Sequence, residues 1–207
     1  GVDMYMLRDR DGLRQDQIDE LEAGQKLICL KRRHIENYFL NEEILHKVAN
    51  HLYLHKNGNN ISVEHIKAEM KRIATDTIGF NLYKNFKEHI AANYSIKVPK
   101  INSIDQKTLA EVKTLISDGL ESNLTSLATE LEKTKTLEWL ETEKLRLEYL
   151  LNSDAWKAEF QGKIIFSKLC GEVLKGNALS IRECFVDIAI AEEDEGIKEI
   201  AEILKLM

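Results

Sequence analysis

The stretch MYMLRDRDGLR, from Met4 to Arg14, decides how the start of the chain folds. Its apolar and β-favouring residues from Val2 to Leu7 predict a strand, and the Asp11-Gly12 pair is typical of the turn that ends one. Side chains two apart in extended backbone point the same way, so Asp9 and Asp11 are predicted to project together. Two carboxylates in so small a space repel each other unless a cation or a proton lies between them.

A helix and a second strand are predicted directly after this turn. The segment RQDQIDELEAG carries Ile18 and Leu21 at helical spacing and ends in Gly24, and QKLICL has the pattern of a short buried strand. Strand, helix, strand units are right-handed and bring the carboxyl ends of parallel strands to one edge of a sheet, where ligands commonly bind. Glu36 follows the second strand in KRRHIENYFL, so it is expected near the aspartates.

The chain then changes to helical patterns. Asn41 predicts a helix start, and a second helix is predicted after Ser62. Pro99 is the only proline and marks the best candidate linker. Asp105 is predicted to cap a long run that forms two antiparallel helices or one helix broken near residues 133–136.

The remainder of the chain predicts three shorter helices, with Ser180 and Glu183 forming a capping box. The predicted fold class is therefore α/β plus α, a partial parallel sheet followed by a larger, mainly helical body. We expect three segments, an α/β segment over residues 1–40, a helical segment over 41–98 and a carboxyl-terminal helical segment over 99–207.

Composition restricts the function classes. The 207 residues are 43% hydrophobic and 31% charged, with a formal charge of -6, so the chain should bury a core but has no bulk attraction for nucleic acid or anionic membrane. No apolar run is long enough to span a bilayer. Cys29, Cys170 and Cys184 are far apart and odd in number, which argues against a disulfide framework and a zinc site and favours the cytoplasm.

The acidic residues and the basic run beside them predict phosphate chemistry. Hard oxygen ligands at strand ends suit Mg²⁺ or Mn²⁺, so Asp9, Asp11 and Glu36 are the candidate metal ligands. Basic residues next to such a site could hold a phosphate backbone while the metal polarises the phosphoryl oxygens, and the candidates are Lys31, Arg32 and Arg33. The plainer interpretation is that the aspartates only make a turn and that the basic run is a solvated strand end.

Three stretches together resemble a known family. YMLRDRDG (5–12), LKRRHIENYFLNEEIL (30–45) and FQGKIIFSKL (160–169) are similar to the carboxyl-terminal Toprim region of ATPases of the overcoming-lysogenisation-defect (OLD) type and related phage-defence ATPases. The resemblance implies that Asp9 and Asp11 bind divalent metal, that Glu36 completes the site, and that Lys163 assists at the phosphate.

The same resemblance implies a larger protein. The family has a glutamate on an earlier Toprim strand and an amino-terminal ATPase, and neither is found in these residues. We therefore expect the carboxyl-terminal part of an ATPase-linked nuclease, truncated on its amino-terminal side, with Gly1 left by a tag. DNA is the expected substrate, ATP would bind only to the absent domain, and the fragment itself should be inactive.

Two alternatives remain open. A strand ending in DRDGL also resembles the nucleophile loop of haloacid-dehalogenase-type phosphatases, in which Asp9 would attack phosphorus and Asp11 would handle the proton. Leu13 stands where that family usually has threonine or valine, and its later strands are not predicted here. The second alternative is non-catalytic, with the helices of residues 41–207 serving as a homodimerisation or partner-binding module.

Overall fold

The computed structural model describes residues 6–13, 15–23, 27–54, 61–93 and 108–205. The described chain begins with strand β1, helix α1 and strand β2, continues through one 3-10 helix, and is otherwise helical. The bounds are β1 Met6–Arg8, α1 Gln15–Glu22, β2 Leu27–Cys29, the 3-10 helix Ile35–Phe39, α2 Glu42–His51, α3 Val63–Asp76, α4 Ile78–Asn93, α5 Leu109–Glu130, α6 Lys133–Asn152, α7 Trp156–Glu159, α8 Gly162–Lys168, a π-helical turn Leu169–Val173, α9 Ala178–Ala191 and α10 Glu195–Lys205.

The two strands form a parallel sheet. Met6 pairs with Leu27 and Arg8 with Cys29. One residue after the last pair, the Leu30 amide donates to the Arg8 carbonyl at 2.9 Å. A strand, a helix and a parallel strand in this order confirm the coarse prediction of a small sheet followed by helices. The amino-terminal half of the first predicted strand and Gly24 lie outside the described residues. Both strands end at the same edge, which places Asp9 next to the segment after β2.

Two helix starts agree with the sequence prediction because their caps are local. The Asn41 side chain accepts hydrogen bonds from the backbone amides of Glu43 and Ile44, and the Ser62 side chain accepts one from His65. The break in the long run after α5 is also confirmed, at residues 131–132, just before the predicted position. Pro99 and Asp105 lie outside the described residues. The prediction that Asp105 caps the long run is wrong, because α5 begins at Leu109 and its cap is Thr108, whose side chain accepts from the Glu111 amide.

The predicted capping box at Ser180 and Glu183 is wrong. Helix α9 begins three residues earlier, because the Asn177 side chain accepts from the backbone amides of Leu179 and Ser180. Ser180 therefore lies inside the first turn, where its own amide is the group being capped.

The chain divides into two compact units by the packing of its Cα atoms. We call residues 1–81 with 147–207 the sheet unit, and residues 82–146 the helical unit. The three segments predicted from the sequence stay a prediction. Among the described residues, none of the helices combines the length and the apolar character needed to cross a bilayer.

The core of the sheet unit fixes the segment that follows β2. Phe39, at the end of the 3-10 helix, contacts Phe166 of α8 and Phe185 of α9, with ring centroids 5.5 and 5.2 Å apart. Leu30 and Tyr38 pack with Ile203 of α10 in a smaller cluster beside the sheet. Residues 30–39 are thus packed against α8, α9 and α10, and this packing supports the other side chains of the segment, including Glu36.

Candidate metal and phosphate site

Asp9 lies directly after β1, and both of its carboxylate oxygens have partners. Oδ1 accepts a hydrogen bond from the backbone amide of Ile35 at 3.0 Å. Oδ2 accepts from the Lys163 ammonium at 2.9 Å, across 154 positions of the chain. Asp9 therefore joins the end of β1 both to the 3-10 helix and to the start of α8.

Asp11 occupies the turn that follows. Its φ of 49° lies in the left-handed region, which aspartate tolerates better than most residues. The Asp11 amide donates to the Arg33 carbonyl at 2.9 Å, so the turn is bound to the segment after β2. Its Oδ1 lies 3.3 Å from Nε2 of His34. The side chain is 48% exposed, and Asp11 is thus the most open of the three acidic groups.

Glu36 is the third carboxylate, and its side chain is only 9% exposed. Its Oε1 accepts from Nη2 of Arg182 at 3.0 Å. Its Oε2 is buried and has no hydrogen-bond partner among the described residues. A buried carboxylate oxygen without a partner is costly, so this atom is poised to accept a cation or a donor.

Lys163 lies in the electrostatic field of all three carboxylates. Its pKa is raised above the ordinary lysine value, first by the hydrogen bond to Asp9 and then by the negative charges of Asp9, Glu36 and Asp11. Asp9 contacts the Lys163 ammonium directly, and Glu36 and Asp11 act on it through their negative charge. The family resemblance assigns roles to four residues, and these lie in the same part of the folded chain: Asp9, Asp11, Glu36 and Lys163.

His34 is buried beneath this cluster at 2% exposure. Its pKa is lowered, first by burial and then by the positive charges of Lys163 and Arg33, which favours the neutral ring. A neutral ring that donates from Nε2 to Asp11 leaves Nδ1 as an acceptor, and Nδ1 has no partner in the described structure.

Asn37 holds the loop in place from behind. Its Oδ1 accepts from the His34 amide at 2.9 Å, and its Nδ2 donates to the carbonyls of Lys157 and Phe160 at 2.8 and 3.0 Å. Gly162 fits directly against it, since a Cβ on Gly162 would lie 2.5 Å from Asn37 Oδ1. The residue before Lys163 must therefore be glycine for α8 to approach the carboxylates this closely.

The three basic residues predicted to hold phosphate do not act alike. Arg33 is 3% exposed and donates from Nη1 to the Glu159 carbonyl at 3.2 Å. Arg32 donates to the Asn37 carbonyl at 3.1 Å and stacks on the Tyr38 ring. Both guanidinium groups thus have partners inside the sheet unit, Arg32 within the loop and Arg33 at the end of α7, whereas Lys31 is exposed to solvent.

Arg182 is the site residue that sequence reasoning missed. It lies on α9, 146 positions from Glu36, and its guanidinium carbon is 5.3 Å from the centre of the Phe166 ring. An arginine in an ordinary helical pattern gives no local signal of such a partner. Only the packing of α9 against the core brings it to the site.

The donor chemistry of this cluster fits Mg²⁺ or Mn²⁺, which take carboxylate oxygens and usually only one or two of them from protein. The orphaned Oε2 of Glu36 supports that fit. Within the described ranges, no group of three or more His, Cys, Asp or Glu side chains is arranged so that it could hold a metal ion. Asp9 Oδ2 and Glu36 Oε1 are engaged by Lys163 and Arg182 instead.

Comparison of the chain with family models, curated proteins and solved structures found no match. The Toprim resemblance therefore stays a prediction, and the function proposed below depends on the geometry of these side chains.

Proposed function

We propose that this chain carries a Toprim-type phosphodiesterase site and forms the carboxyl-terminal part of an ATPase-linked, metal-dependent nuclease of the phage-defence kind. DNA is the proposed substrate. The upstream ATPase and a second copy of the chain are the proposed protein partners, and Mg²⁺ or Mn²⁺ is the proposed cofactor.

One observation carries the proposal. Lys163 donates to Asp9 from 154 positions away and lies in the field of Asp11 and Glu36. A turn that only ended a strand would need no buried glutamate with a free oxygen and no distant lysine. Carboxylates beside a lysine suit phosphoryl transfer, since carboxylates can hold a metal and the cation can stabilise charge that develops on phosphate.

In this proposal Asp9, Asp11 and Glu36 would hold the metal, which when bound supplies Lewis-acid polarisation of phosphate and a more acidic water. The protein groups have separate tasks. The Ile35 amide fixes the orientation of Asp9, and His34 fixes that of Asp11. Lys163 moves from Asp9 to an oxygen of the phosphate. The proton acceptor would come from outside these residues, so the isolated chain should bind without efficient cleavage.

The decisive experiment is a Mn²⁺ titration followed by electron paramagnetic resonance. Asp9→Asn keeps the acceptor for the Ile35 amide but removes the charge, so Mn²⁺ affinity should fall at least about tenfold, equivalent to ~1.4 kcal/mol. Asp187→Asn changes an exposed acid on α9 and should bind within about twofold of wild type. Equal Mn²⁺ affinity in all three proteins would remove the nuclease proposal.

The haloacid-dehalogenase alternative has less support. It needs later strands that end in serine or threonine and in paired aspartates. In the described residues after Cys29, only helices and loops are found. A direct distinction is trapping with beryllium fluoride, which should form an aspartyl adduct on Asp9 in a phosphatase of that class and none in a Toprim-type site.

A further inference from the structure

Arg182 makes an incomplete ion pair with Glu36. One guanidinium nitrogen, Nη2, contacts Oε1 at 3.0 Å. The Arg182 Nε and the Glu36 Oε2 are both buried, and neither has a partner in the described structure. Arginine and carboxylate groups commonly pair through two parallel hydrogen bonds, which would have satisfied both atoms. The pair therefore leaves one buried hydrogen-bonding atom on each partner unsatisfied among the described residues.

The orientation of Arg182 is fixed by a buried ring. Its guanidinium carbon is 5.3 Å from the centre of Phe166, which has no exposed surface. Phe166 is itself held against Phe39. A guanidinium supported on one side by an aromatic ring and anchored by one nitrogen keeps its remaining N–H groups in a defined direction, as anion recognition requires.

Arg182 is more exposed to solvent than its partner Glu36, as expected for a cation that binds a ligand. The Arg182 side chain is 41% exposed, whereas that of Glu36 is 9% exposed. Lys163, the cation on Asp9, is 54% exposed. The carboxylates Asp9 and Glu36 thus each carry a cation that is open to solvent, while the guanidinium of Arg33 is buried and donates to backbone.

We propose that Arg182 is the phosphate-binding arginine of this site, holding a non-bridging oxygen of the substrate phosphate while Lys163 holds another. This inference rests on the proposed function. It assigns the anion to Arg182 and Lys163 in place of the basic run Lys31 to Arg33. Because Arg182 bonds to Glu36, the phosphate-binding group contacts a candidate metal ligand. The Arg182–Glu36 pair would therefore position both the anion and the metal.

The test uses thymidine 3′,5′-bisphosphate as the probe, titrated into the full chain with and without Mg²⁺ and followed by ³¹P nuclear magnetic resonance. Arg182→Gln keeps one donor for Glu36 but loses the charge and the second N–H edge. We expect its affinity for the probe to fall about tenfold, as for loss of one charge-assisted contact. Arg182→Lys keeps the charge but loses the planar N–H edge, so its affinity for the probe should lie between those of wild type and Arg182→Gln. Arg72→Gln is the control, since Arg72 is 47% exposed and pairs with carboxylates away from the site.

Mn²⁺ binding, measured separately, distinguishes phosphate binding from a positioning role. Arg182→Gln should bind Mn²⁺ no more weakly than wild type, because a positive charge has been removed from beside the carboxylates. Lower Mn²⁺ affinity with unchanged probe affinity would overturn the proposal and make Arg182 a positioning residue. If the glutamine variant melts at a lower temperature, Arg182→Met, which keeps the aliphatic stem against Phe166, is judged by the same criteria.

The outcome for Arg182 is separate from the outcome for the nuclease. A wild-type chain that fails to bind the probe under either condition overturns the phosphate-binding role, as does equal affinity in wild type and Arg182→Gln. Probe binding that depends on Arg182 in a chain whose Mn²⁺ affinity is unaffected by Asp9→Asn supports the arginine and removes the metal-dependent nuclease.

Discussion

The sheet unit and the helical unit use the same kind of helix in different ways. In the sheet unit, α3 buries Ile66, Met70, Ile73 and Ala74 along one face. In the helical unit, α5 has 22 residues and buries none of them among the described residues. Leu109 and Leu124 on α5 are 72% and 56% exposed. Helical periodicity is thus present in both units, but among the described residues only the sheet unit packs its apolar side chains into a buried core that can fix the direction of functional side chains.

The two units should differ most in the free energy of unfolding that is lost when an apolar side chain is truncated. Phe166→Ala removes a fully buried ring from the sheet unit and should lower the free energy of unfolding by about 3–5 kcal/mol. Leu124→Ala on α5 should change it by about 0.5 kcal/mol or less, because that side chain is already 56% exposed. Urea denaturation measures both. Similar losses in the two variants would mean that α5 is covered as well as α8.

Replacing one glycine by alanine in each unit should change the free energy of unfolding by an intermediate amount and with opposite sign in the two units. Gly162→Ala places a methyl group 2.5 Å from Asn37 Oδ1 and 2.8 Å from the Asn37 nitrogen, so the free energy of unfolding should fall by about 1–3 kcal/mol. Gly119→Ala, inside α5, meets nothing within 4 Å and should raise it by about 0.5–1 kcal/mol.

Thermal and urea denaturation of the two glycine variants provide the measurement. A stabilised Gly162→Ala variant would show that α8 can move away from Asn37, and the position of Lys163 would then not depend on close packing. Its Mn²⁺ affinity would be the next quantity to compare with wild type.

The smallest effect concerns acid sensitivity at the Glu42 carboxylate of the sheet unit. Burial raises its pKa, but the hydrogen bond from Lys157 at 2.6 Å and the charges of Lys157 and Lys67 outweigh this, so the pKa is lowered overall. A lowered carboxyl pKa contributes stability that is present above the ordinary carboxyl range and is lost as pH falls through the folded-state value. Lys157→Met should therefore reduce the loss of stability on acidification.

The measurement is the free energy of unfolding at pH 6, pH 4 and pH 3, and the expected difference is about 1 kcal/mol or less. Lys135→Met, at the exposed pair with Glu130 in the helical unit, serves as the control and should leave the acid dependence unchanged. An equal change in both variants would show that the Glu42 pair has no special role.

The sequence predicts the features of this molecule that are encoded locally. Asn41 and Ser62 could be recognised as helix caps because a cap bonds to amides within three residues. The order strand, helix, strand likewise follows from local periodicity, and the right-handed crossover rule then places Asp9, Asp11 and Glu36 near one edge. The failed prediction at Ser180 had the same local character, since Asn177 is a competing cap three residues earlier.

The contacts that complete the candidate site could not be predicted in this way. Arg182 reaches Glu36 through the packing of α9 on the core, and Arg33 is buried because its guanidinium meets the Glu159 carbonyl. Neither pairing leaves a trace in spacing or composition. Lys163 could be proposed only through a family resemblance, because a Gly-Lys pair at a helix start is common in any protein.

The distance along the chain between Asp9 and Lys163 also bears on how the protein is made. A ribosome adds residues from the amino terminus at roughly 5–20 per second, so the acidic groups of the site leave the exit tunnel many seconds before either of their cations exists. During that interval, the Asp9 and Glu36 carboxylates lack the cations that pair with them in the folded chain. Synthesis of α8 and α9, rather than closure of the sheet, is the step that supplies these partners.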